Sequence, residues 1–97
     1  MMSEDAKQTL SELLETLAAI EHDRWAHWQR YMHGKGERLP DGSLLLPADL
    51  VRRWELQIST PYSELTEREK NSDRDQVKKY LPVVLGAFGL PTAAFTS

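Results

Sequence analysis

"LSELLETLAAIEHDRWAHWQRYM", residues 10–32, decides the fold of this chain. Neither proline nor glycine occurs in it, nor in the residues leading into it from Glu4. Leu10, Leu13, Leu14 and Leu17 recur every three or four positions, the spacing that lines up one side of a helix. The spacing predicts one long helix from about Glu4 to Met32, stopped by Gly34 and Gly36. At about 100° per residue, Leu10, Leu17 and Trp28 fall on one line. Glu21 and Arg24 fall inside the same apolar arc, on either side of that line. Trp25 sits at the edge of the arc beside Ala18, His22 lies further round, and Asp23, His27 and Arg30 occupy the back. A surface helix keeps charge off its apolar stripe. A carboxylate and a guanidinium in the middle of one therefore imply either mutual neutralisation or a ligand.

Outward from this helix the signals change. "LPDGSLLL", residues 39–46, holds Asp41-Gly42 between short apolar runs, a hairpin signal. "PADLVRRWELQI", residues 47–58, reads as a second helix, with Pro47 suited to its first turn and Leu50, Val51, Trp54 and Ile58 as its stripe. Pro61 disfavours helix at Thr60. Thr66 and Glu69 have capping-box spacing and are expected to open a short turn of helix. Ser72 is expected to cap a last helix, with Asp73 and Asp75 near its positive end. That helix carries Val77, Tyr80, Leu81, Val84, Leu85 and Phe88, with a kink expected at Pro82 and an end at Gly86 or Gly89. The expected fold is thus mainly α: a small helical domain with one long N-terminal helix, two to three shorter helices and at most a short β-hairpin. Residues 1–97 form one domain with a core over about 15–90. The ends at 1–3 and 91–97 are expected to be loose, with Phe95 docked at most.

Composition narrows the function classes. The 97 residues suffice for one domain. There is no cysteine, hence no disulfide and no thiolate chemistry. A net charge of −3 offers no basic stripe for a nucleic-acid polymer. Neither a membrane span nor a signal pattern is visible, so a cytoplasmic protein is expected. His22 and His27 are five residues apart, on different helix faces, so no shared metal is expected. The carboxylate pairs Glu64 and Glu67, and Asp73 and Asp75, read as charges at helix starts. With no phosphate loop and no nucleophile elbow, the expectation is a non-enzyme without a cofactor.

The stripe of the last helix, extended backward from Val77, lands on Arg74 and Asp73. Both helices therefore continue an apolar face into an acid and an arginine. The economical reading is a buried or half-buried ion network, Glu21 with Arg74 and Arg24 with Asp73, because an unpaired buried charge is too costly. The aromatics allow two readings as well. Trp28 and Trp54 lie on stripes and read as core. Trp25, at an edge beside Arg24, reads as a surface that stacks a planar base, with Arg24 or His22 near phosphate or ribose and Tyr62 closing the site.

Two blocks, "EHDRWAHWQRYM" at residues 21–32 and "PYSELTEREKNSDRDQVKKYL" at residues 61–81, resemble the RyR domain, the repeat first described in ryanodine receptors and also found in bacterial and phage proteins. Glu21, His22, Trp25 and Ala26 match the first block of that pattern. Pro61, Tyr62, Leu65, Glu69, Lys70, Asp73, Arg74 and Val77 match the second. The resemblance spans roughly residues 15–90. It departs after the first helix, where "HGKGERLPDG" replaces a Gly-Trp-x-Tyr-Gly segment, leaving Trp28 or Tyr31 to supply that aromatic.

The resemblance implies binding of an adenine-containing nucleotide, or of an ADP-ribose-like or cyclic nucleotide signal, by a domain with no effector attached. A phage protein that sequesters an immune second messenger in the host cytoplasm fits that description. The expected ligand contacts are His22, Arg24, Trp25, Trp28, Tyr31, Tyr62 and Arg74. The family's site needs two repeats facing each other, which implies a homodimer with Trp25, Trp28 or Tyr31 near its seam. The alternative is a structural or protein-interaction module with no small-molecule ligand.

Overall fold

A computed structural model describes residues 3–92. Helix α1 (Glu4–Lys35) begins where Ser3 accepts a hydrogen bond from the Ala6 amide at 3.1 Å, with Glu4 and Asp5 in the first turn. Ser3 is thus a helix cap and not part of a loose end; residues 1–2 and 93–97, Phe95 among them, lie outside the described residues. The helix also runs past Met32 through Gly34 and stops only at Gly36. A Cβ on Gly36 would come within 3.2 Å of the Leu46 side chain and 3.3 Å of Leu44, so glycine at this position lets the hairpin fold tightly against the helix end.

Strands β1 (Glu37–Arg38) and β2 (Leu44–Leu45) pair antiparallel, Glu37 opposite Leu45 and Arg38 opposite Leu44. The turn between them is closed by the Gly42 amide on the Leu39 carbonyl (2.9 Å) and the Leu39 amide on the Ser43 carbonyl (2.8 Å). Gly42 has φ +91°, a conformation that glycine adopts at little cost. Helix α2 (Ala48–Ser59) follows Pro47. Leu50, Val51 and Trp54 are half-covered, as their stripe requires, but Ile58 is 84% exposed. Ile58 lies in the last turn, where no other element covers it.

After the 3-10 turn η1 (Tyr62–Glu64), a single helix α3 (Glu67–Ala87) runs without interruption. A separate turn and a helix capped by Ser72 were expected here. The capping box of Thr66 and Glu69 instead starts the whole helix. No glycine or proline intervenes before Pro82, so Ser72 has no helix end to cap. Gly89 (φ +68°) ends the helix: its amide reaches the Gly86 carbonyl and the Leu90 amide reaches Leu85, a Schellman closure.

Helix α1 packs on α3. Leu13, Leu17 and Ile20 on α1 and Val77, Tyr80, Leu81, Val84 and Leu85 on α3 are half-covered, and no described residue is fully buried. The radius of gyration is 18.4 Å over extents of 54 × 34 × 25 Å. A compact chain of this length would have about 13 Å. The described residues thus form an open arrangement without an enclosed core.

Candidate functional site

Helix α1 carries Glu21, His22, Arg24, Trp25, Trp28 and Tyr31, η1 carries Tyr62, and α3 carries Asp73 and Arg74. The expected ion network across the helices does not form. Arg24 instead grips Glu21 on its own helix, Nη2 to Oε2 at 2.6 Å and Nε to Oε1 at 3.1 Å. Arg74 donates to Glu67 at 3.1 Å and to Asn71 at 2.8 Å. Each partner sits on the same helix, so less freedom is lost than in bridging two helices. None of the four is buried: the Arg24 and Glu21 side chains are 51% and 54% exposed. The heavy penalty for breaking a buried pair therefore does not apply here.

The charges still shape the surface. The bidentate bond from Arg24 holds the Glu21 carboxyl below its ordinary range and raises the Arg24 guanidinium, with weaker attraction from Tyr80 and Asp73 across the helix contact. Arg74 lowers Glu67 in the same way, and Tyr62 adds to the forces that keep Arg74 charged. No bond joins Arg24 to Asp73; its partner is Glu21.

The aromatics divide into groups. His22 and Trp25 stack at 6.1 Å with 26° between planes, and Trp25 is 59% exposed. Trp28 stacks on Tyr31 at 5.5 Å and meets Trp54 edge-on at 5.6 Å, tying α1 to α2. Lys35 sits 5.2 Å over the Tyr31 ring. Tyr62 does not stack on Trp25; Lys70 covers its ring instead, 5.8 Å from the centroid. The expected closure of Tyr62 over Trp25 is therefore absent within one chain.

Tyr62, Asp73, Arg74, Val77 and Lys78 line an open depression beside α3. Sequence reasoning named Tyr62 and Arg74 as ligand contacts but missed Lys70, Lys78 and Glu67. The missed signal was helical spacing: Lys78 follows Arg74 by one turn, and Glu67 precedes it by two. A second hollow lies between the end of α1 and β2, around Gly36, Leu45 and Leu46. Among the described residues no three His, Asp or Glu side chains gather as metal ligands. No helix among them is long and apolar enough to cross a membrane. No family model, curated protein or solved structure matches the chain.

Proposed function

We propose that the chain is a non-enzymatic cytoplasmic domain that binds an adenine-containing nucleotide or a related ADP-ribose-like or cyclic nucleotide signal. The depression at Tyr62 carries the reading. It joins an aromatic ring and the apolar Val77 to two cations, Arg74 and Lys78, which a phosphate would share with the carboxylates of Glu67 and Asp75, and to the carboxylate of Asp73. A ring offers a stacking face to a base, and guanidinium and ammonium groups take phosphate oxygens. The exposed Trp25 beside His22 and Arg24 supplies a second platform of the same chemistry. The resemblance of residues 15–90 to the RyR domain supports the same ligand class, and sequestration of such a signal in a phage-infected cell fits a domain of this kind.

A thermal-shift series with ATP, ADP-ribose and cyclic dinucleotides tests this, since a ligand that binds only the folded chain raises the melting temperature. Tyr62→Ala is expected to abolish the shift while leaving helical circular dichroism unchanged. No shift with any of these nucleotides at millimolar concentration would sink the proposal. It would leave the second reading, an interaction module without a small ligand, which the many exposed large apolar side chains favour.

A further inference from the structure

The geometry points to a two-fold homodimer in which α1 packs antiparallel on α1 of a second copy, with Glu21 of each chain meeting Arg24 of the other. This inference does not rest on the nucleotide reading. It starts from a spacing. Leu10, Leu14, Leu17, Glu21, Arg24, Trp28 and Tyr31 follow one another at alternating intervals of four and three residues. That is the seam of a helix built to pack lengthwise on another helix. In the single chain the seam is largely uncovered. Leu14 is 65% exposed, Tyr31 45%, Trp28 43% and Leu10 39%, although α3 lies alongside and Trp28 meets Trp54; Leu17 is half-covered.

The order of residues along the seam is palindromic in character. Three leucines precede the charged pair and two aromatic residues follow it, with Lys35 opposite the outermost leucine, Leu10. Laid antiparallel about an axis between residues 22 and 23, Leu14 faces Tyr31, Leu17 faces Trp28 and Glu21 faces Arg24. Each pairing occurs twice, as an isologous interface requires. Aliphatic meets ring, and acid meets base. A parallel arrangement would set Glu21 against Glu21 and Arg24 against Arg24. The charged pair in the stripe thereby gains a role that its exposed bond within one chain leaves unexplained: it fixes direction and register, as polar seam residues do in coiled coils.

The surface area agrees. The chain exposes 7822 Å². A compact monomer of its mass would expose about 5,700 Å². The excess, on the order of 2,000 Å² per chain, is spread over the whole molecule and leaves room for an interface of homodimer size.

Light scattering on the full chain at about 50 µM, well above a micromolar dissociation constant, is expected to give the dimer mass. Glu21→Arg and Arg24→Glu should each place like charges across the seam and give monomers or a partly unfolded chain. Mixing the two variants in equal amounts should restore both dimer mass and helical circular dichroism, because acid again meets base across the seam. A bond within one chain cannot be rescued in trans in this way. Direction is read separately. The chain has no cysteine of its own, so Leu14→Cys mixed with Tyr31→Cys should cross-link on oxidation, while Leu14→Cys alone should not. A monomeric wild-type chain, single charge variants that stay dimeric, a mixture no more associated than its components, or cross-linking of Leu14→Cys with itself would each overturn the inference.

Discussion

Single residues fix the ends of the elements, and their contributions can be measured one at a time. Thr66 accepts the Glu69 amide at 3.1 Å, and the Glu69 carboxylate accepts the Thr66 amide at 3.1 Å. Thr66→Ala removes half of this box and is expected to lower stability by about 1 kcal/mol in urea unfolding. The bonds from Thr66 also hold the Glu69 carboxyl below its ordinary range, as those from Arg74 do for Glu67. A depressed carboxyl contributes stability above its unfolded pKa, and that contribution is lost as pH falls through the folded value. Acid titration followed by helical circular dichroism is therefore expected to loosen the start of α3 below about pH 4, the ordinary range of glutamate. Glu69→Gln should flatten that part of the profile. Gly42 has φ +91°, so Gly42→Val should cost about 1 kcal/mol or more by strain alone.

At the scale of elements, α3 contains an apparent contradiction, a proline at position 82 in a continuous helix from Glu67 to Ala87. Pro82 has no amide to donate to the Lys78 carbonyl and crowds it instead. Pro82→Ala should therefore stabilise α3, by roughly 1–3 kcal/mol in the same urea assay. An unchanged or lower stability would show that Pro82, which is half-covered, contributes packing that alanine cannot replace. The element boundaries also show what the sequence made legible. The run of residues 10–32 without proline or glycine, the Asp41-Gly42 turn and the stripe from Val77 to Leu85 each placed their element. Where the reading missed, a local signal was given too much weight. Gly34 was read as a stop, yet the helix continues because its glycine needs no left-handed conformation. Ser72 was read as a cap although Thr66 and Glu69, six and three residues earlier, had already closed the amides of the helix start. At the site, Tyr62, Arg74 and Trp25 were legible as residue types. Their partners were not, because Glu21 with Arg24 and Glu67 with Arg74 are settled by reach along one helix, and helical stripes report only which face a residue occupies.

For the whole molecule, the decisive fact is that no described residue is fully buried. Hydrophobic stabilisation scales with apolar area removed from water, and here the apolar positions of α1 and α3 are covered on one side only. Such a chain has little to set against the conformational entropy of ordering a helix of 32 residues. For the proposed dimer, folding and association are a single equilibrium, and the apparent stability is expected to depend on chain concentration. For a dimer that unfolds to two chains, each tenfold rise in concentration adds about 1.4 kcal/mol to the apparent unfolding free energy. Thermal melts from about 2 to 200 µM, chosen to bracket a micromolar dissociation constant, should show a midpoint that climbs steadily. Leu14→Lys places a cation on a seam position that is 65% exposed in the single chain, so a monomeric fold has no need of the leucine there. The substitution is expected to lower the midpoint throughout and to weaken association. Ile58→Lys, at a more exposed position on α2, should leave the concentration dependence intact. If the midpoint does not move with concentration, the open arrangement is stable by itself, and its exposed apolar face is free for a different partner.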